Sequence, residues 1–163
     1  MPELIALARA ENGQIEALLD AAFGADRHNR TAYRLREDSD PIATLSFALM
    51  DGDGPIGSIQ CWPVRIGETK LILVGPVAVS PSRQNEGHGH RLMNAMLEAA
   101  AKIGDPPMVM IGDPEYYGRF GFSADATTGW TLPGPWDARR LLARNVAGHP
   151  LPREGMLERT DAL

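Results

Sequence analysis

LILVGPVAVSPSRQNEGHGHRLMNAMLEA, residues 71–99, joins an apolar strand, a polar loop with glycines and an amphipathic helix in direct succession. The apolar run resumes after Gly75-Pro76 and turns at residues 80–82. The first N–H groups of a helix have no partner within it, and together with the positive end of the helix dipole they attract anions. We therefore expect the loop at residues 84–89 to hold the pyrophosphate of a cofactor.

The strand in this segment is interrupted at Gly75-Pro76. Proline has no N–H to donate to a ladder, so Pro76 within an apolar run requires a sheet edge or a bulge. The alternative is that one strand ends at Gly75 and another begins after it. Because apolar residues continue on both sides, we favour a bulge. A bulge leaves a backbone N–H free to bind something other than the neighbouring strand.

Periodicity predicts the remaining elements. Before the segment we expect a strand at residues 4–8, a helix that Asn12 caps and Gly24 ends, a short helix at 30–37, and a hairpin of strands 45–50 and 56–66. After the loop, one helical face carries Leu92, Met93, Met96, Leu97, Ala100 and Ile103, and Gly104 ends the helix. Further along we expect strands at 108–111, 130–132 and 155–160, helical turns at 115–120 and a helix at 137–145.

Two charged segments leave more than one interpretation open. The charge density of residues 30–37 indicates a face that is solvated or faces a ligand, and a solvated face is the commoner case. We interpret Arg139 and Arg140 as solvated. Residues 123–163 shape one end of the fold or form a homodimer contact.

Composition bounds the class of protein. At 163 residues we expect one domain, 1–163. The net charge of −5 argues against a nucleic-acid partner, and the single cysteine, Cys61, excludes a disulfide framework and a multi-cysteine zinc site. No apolar run approaches the ~18 residues that span a bilayer. We therefore expect a cytoplasmic protein with no membrane partner.

Two motifs carry a resemblance to a known superfamily. Val77-Ala-Val-Ser-Pro81 followed by Gln84-x-x-Gly87-x-Gly89 resembles motif A of the GNAT superfamily of acyl-CoA-dependent N-acetyltransferases. Gly112-Asp-Pro-Glu-Tyr-Tyr-Gly-Arg-Phe-Gly-Phe122 resembles the second motif of one bacterial branch. The order of elements from residue 4 to residue 122 is also similar. The resemblance implies an α/β (α+β) fold, in which helices flank a mixed, mostly antiparallel central sheet with a bulged central strand.

The resemblance implies acetyl-CoA as the acyl donor and no metal. Backbone N–H groups of the loop would hold the pyrophosphate, and Val77 and Val79 would pair with the pantetheine amides as an added strand. The unpaired N–H near the bulge would polarise the thioester carbonyl. The cofactor-binding residues that we expect are Val77, Ala78, Val79, Gln84, Asn85, Glu86, Gly87, His88, Gly89 and His90.

Three residues of this loop have titratable side chains: Glu86, His88 and His90. Glu86 places a negative charge where the loop is often neutral or basic, and we expect it to weaken CoA binding modestly. His88 and His90 form a His-x-His pair, but side chains two apart on a helix diverge and no third ligand is evident. We interpret them as facing solvent or lying near phosphate.

The resemblance also implies the reaction. Tyr117 stands four residues before Gly121-Phe122 and matches the family's general acid, which protonates the departing CoA thiolate after direct attack by a primary amine. Tyr116 is then a packing neighbour, although the two could be exchanged. The acceptor would be a small-molecule or peptide amine of unidentified structure. His28, Glu37 and Asp38 lie in the segment that commonly lines the acceptor pocket, but none matches a motif for the base.

Two other classes of function are alternatives to acetyl transfer. A non-catalytic acyl-CoA-binding or sensing module on the same fold is the main alternative. A phosphoryl-transfer enzyme would need a magnesium-binding carboxylate that the sequence does not place. The sequence also lacks both common nucleotide-binding loops. A P-loop requires a lysine at the position of His88, after Gly87. A dinucleotide-binding loop requires a third glycine or alanine at the position of Leu92.

Overall fold

The computed structural model describes residues 1–161, so the last two residues of the predicted 1–163 domain lie outside the described part. In chain order the strands and α-helices are β1 (Glu3–Ala6), α1 (Asn12–Phe23), α2 (Thr31–Arg34), β2 (Phe47–Asp51), β3 (Gly54–Ile66), β4 (Thr69–Val79), α3 (His88–Ala101), β5 (Met108–Ile111), α4 (Pro114–Tyr117), β6 (Gly129–Thr131), β7 (Leu141–Arg144) and β8 (Glu154–Arg159). Short 3-10 helices span Leu7–Arg9, Ala25–Asn29, Ala43–Leu45, Pro81–Arg83, Gly118–Phe120 and Ala138–Arg140.

The strands form one sheet in the order β1-β2-β3-β4-β5-β7. Of these neighbours only β4 and β5 are parallel, and the other pairs are antiparallel. The long strand β3 pairs with β2 along its first half and with β8 over Val64–Ile66, and β6 pairs with β8 in parallel. This is a mixed, mostly antiparallel sheet flanked by helices, which confirms the predicted fold class.

The core lies on both faces of the sheet. On one face, Leu92, Met93 and Met96 of α3 are fully buried against apolar side chains from the central strands. On the other face, α1 packs through Ile15 and Leu19, and a second apolar cluster gathers around side chains of β3 to β8. Burial on both faces explains why the central strands are near-continuous apolar runs.

The predicted bulge in β4 is confirmed. Val77 is paired with Ile59, and Val74 with Cys61, so β4 advances three residues where β3 advances two. Val74 and Val77 consequently both pack into the α3 core, which an uninterrupted strand could not do because side chains alternate between faces.

The chain after β5 contains the main error of the sequence interpretation. The helix predicted at 137–145 is wrong, because Leu141–Arg144 form strand β7 and pair with β5. Leu141 and Leu142 are buried in the clusters on opposite faces of the sheet. A run of only four strand residues carries too little periodicity to separate the two structures.

Smaller differences occur at helix ends. The first helix begins at Asn12 itself, with Glu11 rather than Asn12 as its N-cap residue. Ile103, predicted on the buried face of the third helix, is 50% exposed because α3 ends at Ala101. Residues 30–37 form only the short helix α2 followed by turns. In the described part of the chain, no helix is both long and apolar enough to cross a membrane.

Candidate active site

A cleft opens where two parallel strands separate. β4 and β5 are paired only at Ile72–Met108 and Leu73–Val109, beyond which they diverge. The cleft has a volume of about 840 Å³. Residues 73–77 of β4 line one wall and residues 110–113 after β5 line another, with Tyr116 and Tyr117 beside them. The sequence interpretation missed this separation, because two-residue pairing between distant segments leaves no local pattern.

The diverging part of β4 presents an open backbone edge toward the cleft. The N–H of Ser80 donates to the carbonyl oxygen of Ile56 at 2.8 Å, so by alternation the N–H of Ala78 also faces β3. The N–H groups of Val77 and Val79 therefore face the opposite edge of β4. In the described part of the chain, β5 does not pair with β4 at these two residues. Ala78 itself is buried against α1 and does not line the cleft.

The bulge redirects a carbonyl group. Gly75, with φ of 130°, carries a carbonyl oxygen that accepts from Trp62 Nε1 at 2.8 Å and from Arg36 Nη1 at 3.3 Å. Two side-chain donors therefore replace a ladder partner and fix the backbone at the bulge. Neither donor was predicted from the sequence, because residues 36, 62 and 75 meet only in the folded sheet.

A second cavity, the loop cavity, lies beside the cleft and has a volume of about 540 Å³. Eight of the ten predicted cofactor residues lie in its wall, together with the two tyrosines and two arginines. These residues are Val77, Val79, Gln84, Asn85, Gly87, His88, Gly89 and His90, with Tyr116, Tyr117, Arg83 and Arg119. Ala78 and Glu86 are the predicted cofactor residues that it does not include.

Among these eight residues His88 alone is buried. Its Nε2 lies 2.8 Å from Glu86 Oε1, and Arg83 Nε donates to the same oxygen at 3.0 Å. Hydrogen bonds from His88 and Arg83 hold the pKa of Glu86 below its usual range. Of the two alternatives for His88, the solvent-facing one is wrong, and its position near a phosphate stays a prediction. The charge of Glu86 is paired within the loop.

The start of α3 is suited to an anion. Gly87, in the left-handed region at φ 85°, is its N-cap residue and provides no side-chain hydrogen bond to the first turn. The first N–H groups of this 14-residue helix thus lack a side-chain cap at the wall of the loop cavity. Such groups bind phosphate oxygens well.

The two tyrosines stand at the junction of the cleft and the loop cavity, and both line each of them. They belong to α4, which Asp113 caps by accepting a hydrogen bond from the N–H of Glu115 at 3.0 Å. The branch-specific Gly-Asp-Pro sequence thus has a local structural role, since Pro114 occupies the first turn after the cap.

The tyrosines face different parts of this junction. The hydroxyl of Tyr116 lies 3.7 Å from the position that a Cβ on Gly89 would occupy, so it is next to the loop. The ring of Tyr117 packs on Gly112, where an added Cβ would lie 2.7 Å from Cε2, so it is next to the diverging strands. Burial, with contributions from Tyr116 and Asp113, raises the pKa of Tyr117 to about 12. Its phenol is consequently protonated at neutral pH.

One part of the cleft lining, called the acceptor end after the expected amine acceptor, consists of Arg27, Tyr33, Arg36 and Trp136. Arg27 and Arg36 are buried, so the solvated face favoured for the charged segment at residues 30–37 is wrong at Arg36. Arg140, also predicted to be solvated, lines the cleft as well. His28, Glu37 and Asp38 do not line it, and the ring of His28 instead contacts Tyr33 with centroids 4.4 Å apart.

No group of three or more potential metal-binding side chains occurs within residues 1–161. Turn geometry accounts for the aspartates at residues 51–53, which join β2 and β3. Asp51 accepts a hydrogen bond from Arg83 at 2.6 Å, which holds the pKa of that carboxyl below its usual range.

Comparison with known proteins gives a family match and a curated relative. Residues 12–122 match the Acetyltransferase (GNAT) family. The "Uncharacterized N-acetyltransferase YhbS" of Escherichia coli (strain K12) is 33% identical over 115 residues, which cover 69% of this chain and 68% of that protein.

Two solved structures are similar over nearly the whole chain. The GNAT family N-acetyltransferase YhbS from Escherichia coli, in complex with CoA, has a TM-score of 0.77 at 24% identity and covers 98% of this chain and 89% of its own. A GNAT family acetyltransferase from Brucella melitensis, in complex with acetyl-CoA, has a TM-score of 0.73 at 24% identity, with coverage of 98% and 96%. The family match and the shared fold lead to one conclusion: this chain belongs to the GNAT acetyltransferase family and is an acyltransferase.

Proposed function

We propose that this enzyme transfers an acetyl group from acetyl-CoA to a primary amine by direct attack, with Tyr117 as the general acid. The observation that carries the proposal is the position of Tyr117, at the junction of a cavity suited to a phosphate ligand and a cleft open to an acceptor. CoA and acetyl-CoA are bound by the two similar structures, and their shared fold supports the same donor here.

The loop cavity and the open edge of β4 would hold the donor. The uncapped N–H groups at the start of α3 would bind the pyrophosphate, with residues 84–90 around it. The outward N–H and C=O groups of Val77 and Val79 would pair with the pantetheine amides, which adds a strand-like segment to the edge of β4. The thioester then lies in the cleft, where the backbone at the bulge would polarise its carbonyl.

The chemistry needs a neutral amine and a proton donor. The amine nitrogen attacks the thioester carbon, and the carbonyl electrons move onto oxygen. When this tetrahedral intermediate collapses, the C–S bond breaks and the thiolate takes the phenolic proton of Tyr117. As the amide forms, the nitrogen gives up one proton, which returns through solvent to the Tyr117 phenolate and restores the phenol. A thiol has an ordinary pKa near ~8.5, which is below that of the Tyr117 phenol. Proton transfer from the phenol to the thiolate is therefore uphill, and it requires direct contact between the hydroxyl and the sulfur.

Tyr117 is preferred to Tyr116 because of where each side chain lies. Tyr117 packs on Gly112 beside the diverging strands, where the thioester would lie. Tyr116 has its hydroxyl next to Gly89 and the loop, where the pyrophosphate arm would lie. His28, Glu37 and Asp38 are outside the cleft lining and are not proposed as bases.

The experiment compares Tyr117→Phe with Tyr116→Phe in acetyl-CoA-dependent thiol release. Loss of a general acid reduces turnover by about 10²- to 10⁴-fold, so we expect Tyr117→Phe to lower kcat by this factor while the Kd for CoA changes less than about twofold. Tyr116→Phe is the matched control and should retain kcat. Equal turnover in Tyr117→Phe and the wild type would refute the assigned acid.

The non-catalytic acyl-CoA-binding module predicts a different result in the same assay. A broad panel of primary amines, tested with the wild type, would give no acetyl-CoA-dependent thiol release, although acetyl-CoA would raise the unfolding temperature. That combination would refute the proposed enzyme function and leave the donor site intact.

A further inference from the structure

Arg36 is a buried cation at the acceptor end of the cleft. Only 9% of its surface is exposed, and its guanidinium carbon lies 3.8 Å from the centroid of the Tyr33 ring and 5.5 Å from that of Trp62. Its Nη1 donates to the carbonyl oxygen of Gly75 at 3.3 Å. Arg36 thus lies one hydrogen bond away from the bulge beside which the thioester would react.

The guanidinium of Arg36 has no carboxylate partner within residues 1–161. Its neighbour Arg27 is different, because it pairs with Asp20 at 2.9 Å and with Glu16 at 3.3 Å. The Nε of Arg36 is buried and has no hydrogen-bond acceptor in the described part of the chain. Burial, reinforced by the charge of Arg27, lowers the pKa of Arg36 to about 10, which leaves it charged at neutral pH.

A buried cation without a counter-ion is costly, because desolvation is offset only by pairing or hydrogen bonding. The aromatic faces of Tyr33 and Trp62 and one carbonyl offset part of this cost at Arg36. A guanidinium N–H donates a strong, charge-assisted hydrogen bond to a carboxylate. Because Nη1 donates to Gly75 and Nε is buried, Nη2 is the nitrogen left to donate on the cleft side, which Arg36 lines.

The cleft as a whole is more basic than the chain. Four arginines line it, Arg27, Arg30, Arg36 and Arg140, against two aspartates, Asp113 and Asp137. Both aspartates also accept hydrogen bonds as helix caps. A cationic cleft in a chain with a net charge of −5 favours an anionic ligand.

We propose that the acceptor is a small amine that also bears a carboxylate, and that Arg36 binds this carboxylate during transfer. This inference rests on the proposed function and names its substrate class. Arg36 has one positive charge without a carboxylate partner in the described part of the chain, and a single carboxylate balances it. Because Arg36 contacts Gly75 directly, the carboxylate and the reacting amine must be close in the acceptor, as they are in an α-amino acid.

The test uses acceptors that differ only in the carboxylate. A panel of α-amino acids is assayed for thiol release beside the amide and the decarboxylated amine of each, with O-phosphoethanolamine as the phosphate-bearing amine. Hydrogen bonds to charged groups are the stronger class, and we expect kcat/KM for the best amino acid to exceed that for its amide by about 10- to 100-fold.

Variants then assign this preference to Arg36. Arg36→Gln should bring the acid-to-amide ratio close to one and raise KM for the acid more than KM for its amide. Arg139→Gln is the matched control, because Arg139 is exposed, pairs with Glu115 and does not line the cleft. A purely structural role would lower activity with the acid and the amide alike and leave their ratio unchanged. The wild-type ratio requires no variant, so a folding defect in Arg36→Gln does not decide the outcome.

Binding of the product class separates this inference from the proposed function. Calorimetry with the CoA-loaded protein compares an N-acetyl amino acid with its amide. Tighter binding of the acid that Arg36→Gln abolishes would support the inference even without turnover, in which case the proposed function alone fails. Turnover of amides, cationic polyamines or O-phosphoethanolamine at rates equal to or above those of amino acids would overturn the inference and leave acetyl transfer standing.

Discussion

The loop cavity and the acceptor end of the cleft offer different kinds of group to a ligand. Around the loop cavity the groups suited to a ligand are backbone groups: the outward edge of β4 at Val77 and Val79 and the uncapped start of α3 after Gly87. At the acceptor end they are side chains, above all Arg36, Tyr33 and Trp136, which come from separate segments. Backbone groups suit one donor of fixed structure, whereas side chains can change with the acceptor.

This difference has a consequence for mutation. Side-chain substitutions around the loop cavity leave the backbone donors in place, so glycine substitutions that alter the backbone should be more damaging there. At the acceptor end a single side-chain change removes the binding group itself. Substitutions of the glycines therefore separate the two regions, and the glycine under Tyr117 tests the junction between them.

The largest effect in the glycine series is expected for Gly112→Ala. The added Cβ would lie 2.7 Å and 2.8 Å from two carbons of the Tyr117 ring, so the ring must move. Misplacement of a catalytic group by about 1 Å can reduce turnover on the order of 10²-fold. We expect kcat to fall about 10- to 100-fold, and the free energy of unfolding to fall by about 1–3 kcal/mol through overpacking.

Gly118→Ala is the matched control for Gly112→Ala. Gly118 is six residues further along the same motif, has φ of −56° and has open space where its Cβ would lie. It should retain kcat in steady-state assays. If Gly112→Ala also retained full kcat, Tyr117 would not need its present position, and the assignment of the junction would be wrong.

A smaller effect is expected for Gly87→Ala in the loop. Gly87 has φ of 85°, where a Cβ costs roughly 1–2 kcal/mol, and no atom crowds the added methyl group. The altered loop should raise the Kd for acetyl-CoA about tenfold, while KM for the acceptor stays constant. Calorimetry measures the first quantity and steady-state kinetics the second.

Gly104→Ala provides the control for the backbone cost alone. Gly104 has φ of 91° and open space around its Cβ position, but it lies beyond the other end of α3. It should lower the unfolding temperature and leave the Kd for acetyl-CoA unchanged. If Gly87→Ala changed KM for the acceptor and left the Kd for acetyl-CoA unchanged, the assignment of the loop cavity to the donor would be wrong.

The sequence predicted the bulge in β4 and helix α3 because their signals are local. The bulge follows from a proline within an apolar run, and α3 follows from helical spacing after a glycine loop, so each can be identified within about ten residues of chain. The paired charge of Glu86 was not predicted. It depends on Arg83 and on a buried His88, and a helical pattern alone does not show which histidine of the pair is buried.

The acceptor end was not predictable in the same way. Arg36 is defined by contacts with Tyr33, Trp62 and Gly75, and the last two are distant in sequence. The charge density of residues 30–37 was a usable signal, but it was interpreted as a solvated face. β7 was mistaken for a helix because its four residues carry too little periodicity and its partner β5 is distant in sequence. Such errors concern structure that only the assembled sheet determines.

A crystal structure of the protein with CoA tests the proposed donor site most directly. We expect the pyrophosphate at the start of α3, the pantetheine arm along the edge of β4 at Val77 and Val79, and the sulfur in the cleft within hydrogen-bond reach of the Tyr117 hydroxyl. A sulfur in contact with Tyr116 instead, or a pantetheine arm that leaves the edge of β4 unpaired, would contradict this expectation.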